Sequence, residues 1–202
     1  MFDRYLRQVK DRCLAPLARV IGPGPSPLLI TAMALVAGIG SAVAAYTGAA
    51  PVALALWILN RLLDGLDGVH ARMHCRDTPF GAYLDIVCDF VVYAAIPIGI
   101  AAHAGTQAMA FAALLLVASF YVNAASWMYL AAILEQRREG AAARHEQTAV
   151  TMPPGLIGGT ETVAFYVAFF LWPAQQRGLF LTMAALVMIN AVVRLVWARR
   201  RL

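Results

Sequence analysis

Charge is what this sequence has least of. Only 13% of its 202 residues are Asp, Glu, Lys or Arg, about half the share of a soluble domain. With 61% hydrophobic residues, the chain is neither disordered nor an ordinary soluble enzyme. Cysteine is scarce too. Cys13, Cys75 and Cys88 form no CxxC pair, and so odd and unspaced a set argues against structural disulfides. All three fall on the side assigned below to the cytosol, where thiols stay reduced. Arg4, Arg7, Lys10 and Arg12 interrupt any apolar core in the N-terminal segment, so it is not read as an export signal. A net charge of +5 would suggest nucleic acid for a soluble protein. For one dissolved in lipid it reads as basic residues on the cytoplasmic side, and no nucleic-acid partner is expected.

What the sequence does have is long apolar runs. Six of them, near 27–46, 51–73, 79–102, 107–133, 157–173 and 178–198, approach the length needed to cross a hydrocarbon core of about 30 Å. The fifth is the shortest. Ahead of them, residues 1–22 read as an amphipathic helix. Phe2, Tyr5, Leu6, Val9, Cys13, Leu14 and Leu17 recur at helical spacing, opposite Asp3, Arg4, Arg7, Lys10 and Asp11. Such a basic helix lies in the membrane interface or packs on its own protein. Gly22-Pro23-Gly24-Pro25-Ser26-Pro27 ends it. The expected organisation is an interfacial helix over 1–22 and an all-α, six-helix transmembrane domain over 23–202.

Five of the eleven acidic residues fall between positions 64 and 89. Asp77 belongs to a loop; Asp64, Asp67, Asp85 and Asp89 lie in or against apolar helices. An Asp deep in a bilayer costs roughly 2.5–3.5 kcal/mol, and four together repel one another. A bound cation is the simplest compensation. Asp64 and Asp67 are i,i+3 and share a helical face, as do Gly81, Asp85 and Asp89 at i, i+4, i+8. A short turn over 72–78 makes the two helices antiparallel, so the acidic faces can meet near the cytoplasmic edge. Carboxylates without a Cys/His cluster favour Mg²⁺ or Mn²⁺ over zinc. Gly68 and Gly81 suit close approach of a ligand, since Gly inside a helix costs up to about 1 kcal/mol. Arg72 can neutralise a phosphate. A cation-transport site is the competing reading of the acids alone.

Together these residues spell D-x2-D-G-x2-A-R-x8-G-x3-D-x3-D: Asp64, Asp67, Gly68, Ala71, Arg72, Gly81, Asp85 and Asp89. The pattern resembles the signature of the CDP-alcohol phosphotransferase family, integral membrane enzymes of phospholipid synthesis, and the likeness extends over nearly the whole chain. One departure lies upstream, where Pro27-Leu28-Leu29-Ile30-Thr31 stands in place of the family's frequent Pro-Asn-x-x-Thr. The resemblance implies metal-dependent transfer of a substituted phosphate from a CDP-alcohol to a hydroxyl, releasing CMP. It implies that Asp64, Asp67 and Asp85 hold two divalent cations, Mg²⁺ or Mn²⁺, with Asp89 near the second. It further implies that Asp64, Gly68, Arg72 and Gly81 bind the CDP group and that Asp89 is the general base. The expected donor is CDP-diacylglycerol. The leading acceptor is glycerol 3-phosphate, ahead of inositol phosphate, serine and phosphatidylglycerol. A CDP-choline or CDP-ethanolamine donor is the alternative. Membrane lipid and a second copy of the chain, as a homodimer, are the expected partners.

Other polar residues carry weaker expectations. His70 and His74 read as interfacial or surface histidines. Arg61 reads as an ion-pair partner of Asp64, with an acceptor contact as the alternative. Glu161 and Arg194 are expected to pair, the alternative being that Arg194 and Arg137-Arg138 bind an acceptor phosphate. Asn123 suits interhelical hydrogen bonding. Trp57, Trp127, Trp172 and Trp197 read as interface anchors.

Charge asymmetry sets the expected orientation. With six spans, the N-terminus, the 72–78 and 134–156 loops and the C-terminus hold thirteen basic residues, from Arg4 to Arg201, whereas the opposite loops hold only Arg177. The positive-inside bias puts both termini and the acidic site in the cytoplasm, here of a bacterial inner membrane. A cysteine introduced at 103–106 should therefore react with a membrane-impermeant thiol reagent in intact cells. One introduced into the 134–156 loop should react only after permeabilisation; the reverse pattern refutes the orientation.

Overall fold

The computed structural model describes residues 2–137 and 158–202, with side chains from Arg12 onward. All of the regular structure among them is helical. It runs α1 (Phe2–Ile21), α2 (Pro27–Tyr46), α3 (Ala50–Met73), α4 (Pro79–Ala104), α5 (Gln107–Gln136), α6 (Gly159–Leu171), a 3₁₀ turn (Pro173–Gln175) and α7 (Gln176–Arg201). Each expected apolar run corresponds to one of α2–α7. Four of the helices are long and apolar enough to cross a membrane: α2, α4, α5 and α7 with its preceding turn. The 24 residues of α3 have the length, but its second half carries the charges of the acidic site. The 13 residues of α6 span only about 20 Å at 1.5 Å per residue, short of the hydrocarbon core. Arg138, Arg144 and most of the 134–156 loop lie outside the described residues.

The helices form two compact units, 1–106 and 107–202. In the first, α2 is the common wall: α3 and α4 both lie along it, and α1 rests on α3. Local chemistry starts and stops these elements. Ser26 Oγ accepts the Leu29 amide over 3.2 Å with Pro27 in the first turn of α2, and Thr78 Oγ1 accepts the Gly81 amide over 3.0 Å ahead of Pro79 in α4. Gly105, at φ +61°, closes α4. Leu14 and Ala18 of α1 pack with Ile30, Leu66 and Val69, so the second half of α1 is seated on its own protein, while Leu17 and Val20 stay exposed.

Small residues and buried polar links draw α2 against its neighbours. Ser41 Oγ donates to the Ala53 carbonyl over 2.7 Å, and Asn60 Nδ2 donates to the Ala34 carbonyl over 2.8 Å. Gly99 of α4 faces the backbone of α2 so closely that a Cβ there would collide with the Ala42 carbonyl oxygen. This is the small-residue packing that lets helices approach where water gives no drive. In the second unit α5 packs along α7, and α6 also meets α7.

Gly99→Ala should therefore destabilise the protein in detergent by about 1–3 kcal/mol, although alanine is the better helix former. Gly178→Ala, where a Cβ meets nothing within 4 Å, is the control and should be neutral or slightly stabilising. Unfolding midpoints of the two variants beside wild type check this.

Candidate active site

The acidic residues come from two helices whose ends are set by the connecting turn. α3 closes at His74, and Cys75 follows with φ +53°, a left-handed conformation that ends the helix before Thr78 and Pro79 start α4. Two contacts fasten the end of α3 to the α1–α2 connection. His70 Nε2 donates to the Gly22 carbonyl over 2.9 Å, and Arg76 Nη1 donates to the Pro23 carbonyl over 2.7 Å. His70 is thus fully buried, against its expected place at a surface. Its ring stacks obliquely on His74 at 4.6 Å.

α3 and α4 do not lie broadly on each other; they meet through side chains. Asp64 of α3 and Asp89 of α4 are brought to the same Arg61 guanidinium, and Asp85 stands near enough to interact with both acids. Asp67 is buried, and its Oδ2 accepts the Thr31 hydroxyl over 2.6 Å. The Thr31 oxygen also lies 3.1 Å from the Pro27 carbonyl, but its single proton favours the charged acceptor. The departure at Leu28 therefore leaves the threonine contact of that turn intact. Arg72 folds back along α3, so that a Cβ on Gly68 would stand 3.2 Å from its Nη1; one on Gly81 would stand 3.2 Å from Thr78 Oγ1. Neither glycine faces the backbone of another element; each is met by one polar side chain.

Arg61 does pair with Asp64, at 3.6 Å, but its shorter contact is to Asp89 at 2.6 Å. It is also held by Tyr93 and Asn60 and lies over the ring of Trp57. Trp57 is fully buried, not an interface anchor, because the guanidinium stacked on it shares the interior of the first unit. Tyr93, Asn60 and Thr31 escaped sequence reasoning. The available signal was position alone, since Tyr93 continues the Gly81–Asp85–Asp89 row by one more turn.

The donor set fits a hard divalent cation. Asp64 and Asp89 share one guanidinium with Asp85 interacting beside them, and carboxylates so grouped repel unless a cation or proton stands between them. The approach is pairwise: among the described residues no three His, Cys, Asp or Glu groups already converge on one point.

In the second unit the expected Glu161–Arg194 pair is replaced by two local solutions. Glu161 Oε2 accepts the Gly158 amide over 2.9 Å at the start of α6. Arg194 Nη1 donates to Asn123 Oδ1 and Ser126 Oγ at 2.9 and 3.1 Å, which gives Asn123 its interhelical bond. Arg137 reaches the Leu202 carbonyl at 3.1 Å.

Comparison with known proteins identifies a family and a fold. The pattern describing the CDP-alcohol phosphatidyltransferase family matches residues 26–197. The chain is 33% identical over 182 residues to inner membrane protein YnjF of Escherichia coli (strain K12), covering 86% of this chain and 84% of that one. It is 41% identical over 78 residues to a bifunctional IPC transferase and DIPP synthase of Aquifex aeolicus (strain VF5), covering 39% of this chain and 18% of that protein. In fold it resembles the Mycobacterium tuberculosis phosphatidylinositol phosphate synthase PgsA1 with CDP-DAG bound. There the TM-score is 0.72 at 22% identity, over 93% of this chain and 94% of that one. The same synthase in complex with manganese and citrate gives a TM-score of 0.71 at 21% identity, over 92% and 88%.

The buried Thr31–Asp67 bond generates a prediction. A hydrogen bond to a charged group is worth about 1.5–3 kcal/mol, so Thr31→Val should lower unfolding stability by that order, whereas Thr31→Ser should recover most of it. Equal losses in the two variants would assign the effect to packing of the methyl group.

Proposed function

The chain belongs to the CDP-alcohol phosphatidyltransferase family, and within it we propose that the protein transfers a phosphatidyl group from CDP-diacylglycerol to a hydroxyl acceptor, releasing CMP. The observation that carries the reading is that Asp64 of α3 and Asp89 of α4 are brought to one guanidinium, at 3.6 and 2.6 Å, with Asp85 interacting beside them and Arg72 laid back over Gly68. Membership in a transferase family sets aside the cation transporter. The apolar helices make this an integral membrane protein, and likeness to an inner membrane protein supports a bacterial inner membrane; the charge bias favours a site that faces the cytoplasm. Six spans, a homodimer and the division at residue 22 complete the proposal.

Asp64, Asp67 and Asp85 are the proposed ligands of two Mg²⁺ or Mn²⁺ ions, with Asp89 beside the second. A neighbouring structure with manganese supports a divalent ion of this kind. Bound there, such ions supply charge neutralisation for the diphosphate and for departing CMP. The chain's own residues do the rest. Thr31 fixes one oxygen of Asp67. Gly68 and Gly81 add no side chain of their own beside the nucleotide, and Arg72, laid over Gly68, pairs with the diphosphate. Asp89 accepts the proton of the attacking hydroxyl. A donor anchored by acyl chains explains why the acids stand on apolar helices: the lipid stays in the bilayer while its head group reaches the site. Glycerol 3-phosphate heads the acceptor panel, with inositol phosphate, serine and phosphatidylglycerol behind it. Arg194, whose buried Nε has no hydrogen-bond partner, keeps its alternative role of contacting an acceptor phosphate.

CMP release by the purified protein tests this directly. CDP-diacylglycerol with the right acceptor should yield CMP, EDTA should abolish it, and Mg²⁺ or Mn²⁺ should restore it. Release only from CDP-choline or CDP-ethanolamine would overturn the donor. Asp89→Asn should cut turnover by roughly 10²–10⁴-fold while sparing nucleotide binding, whereas Asp67→Asn should weaken both. Wild-type turnover in Asp89→Asn would refute its role as base.

A further inference from the structure

From Arg12 onward α1 has three sides, and the protein covers only one of them. Leu14 and Ala18 are buried with Ile30, Leu66 and Val69, and Leu63 and Met73 pack against the same cluster. At 3.6 residues per turn, Cys13, Pro16, Leu17 and Val20 fall together on one flank of that buried stripe, and Arg12 and Arg19 fall together on the other. All six are exposed, Val20 by as much as 84%. An apolar flank beside a basic one is how a helix sits on a membrane, with its apolar side among acyl chains and its cations at anionic head groups.

The chain itself keeps α1 at such a surface. Only Gly22 to Ser26 separate it from Pro27, where α2 begins, and α2 is long and apolar enough to cross a membrane. Six steps of extended chain span at most about 20 Å, and the connection is tied down further by His70 on the Gly22 carbonyl and Arg76 on the Pro23 carbonyl. The end of α1 therefore stays near the interface that α2 enters. Behind α1, Leu63, Leu66, Val69 and Met73 form one stripe of α3. Each is the sequence neighbour of a motif residue: Asp64, Asp67, Gly68 and Arg72 in turn. A helix pressed on that stripe limits how far the adjoining face can turn or tilt.

We propose that the two outer flanks of α1 are a docking surface for an anionic bilayer, and that docking steadies the half of α3 that carries the motif, so that turnover depends on anionic lipid. The docking stands on the exposed flanks and the short connection to α2. The dependence of turnover rests on the transferase reading of the site.

The experiment uses the purified full chain in vesicles of phosphatidylcholine, with and without phosphatidylserine, an anionic lipid with no free hydroxyl to act as acceptor. Val20→Cys and Arg19→Cys, each with the exposed Cys13 and Cys75 changed to Ser, carry a nitroxide. Its collisions with oxygen and with a water-soluble nickel chelate report depth by electron paramagnetic resonance. In phosphatidylserine vesicles position 20 should meet chiefly oxygen and position 19 chiefly nickel; water at both positions overturns the docking. Steady-state CMP release gives the second reading. Phosphatidylserine should raise wild-type kcat several-fold. Changing Arg12 and Arg19 together to Gln should weaken docking about fivefold for each arginine lost and remove most of that rise, while Val20→Asp should lower kcat several-fold. Leu14→Ala should lower kcat in both vesicles and leave the depth at position 20 unchanged. A merely structural α1 would show the Leu14→Ala loss without any response to lipid. Equal wild-type kcat in the two vesicles, or a full rise in the double arginine variant, overturns the coupling. If the wild-type protein releases CMP in neither vesicle, the transferase reading fails by itself, and the nitroxide depth still decides the docking.

Discussion

Carboxylates that face one another inside an apolar protein repel, and the first unit offsets this repulsion at Asp67, Asp89 and Asp64. Asp67 is turned away into a buried hydrogen bond with Thr31. Asp89 is bonded to Arg61, and Asp64 shares that guanidinium at longer range. Asp85, which meets Asp64 across the space between α3 and α4, has no cation so near. The compensation is therefore uneven, and it leaves net negative charge on the Asp85 side.

The arrangement depends on α2 more than on any contact between the two helices that carry the acids. α3 and α4 lie along α2 on separate surfaces, so their facing sides stay apart and only long or charged side chains bridge them. α4 can approach α2 because Gly99 presents no side chain to the Ala42 carbonyl, and because Val92 fills the space over Gly38. α3 is tied to the same helix through Ser41 and Asn60. Asn60 serves both purposes. One end fixes the helix pair and the other orients Arg61, so packing and site geometry are coupled through a single side chain.

The second unit meets a similar demand with local means. Glu161 satisfies the start of its own helix, and Nη1 of Arg194 is shared between Asn123 and Ser126 of α5. Arg137 reaches the C-terminal carbonyls of α7, satisfying acceptors that a helix end leaves open. Buried polar groups in apolar surroundings carry a penalty unless bonded; short links to nearby acceptors offset it here, except at the buried Arg194 Nε.

How much was legible in the sequence follows from which properties are periodic. The apolar runs, the prolines and the capping Ser26 and Thr78 are local, so the starts of α2 and α4 could be placed from spacing alone. The D-x2-D-G-x2-A-R-x8-G-x3-D-x3-D row was equally legible, because helical geometry converts i,i+3 and i,i+4 spacing into a shared face and a short turn brings two such faces together. Charge also exposed Arg61 as a pairing residue. It could not say which acid Arg61 would favour, since Asp64 is one turn away in sequence and Asp89 is reached only when α3 and α4 are both seated on α2. Trp57 and His70 were misjudged for the same reason. An aromatic or imidazole ring at a given helical position faces lipid, water or core according to what packs against it, and here Arg61 covers one while Gly22 bonds the other. Local sequence determined the helices and the acidic row. Only tertiary structure decided the partner of each charge, because those bonds join residues 28 to 71 positions apart, whose meeting depends on helix packing that no local pattern encodes.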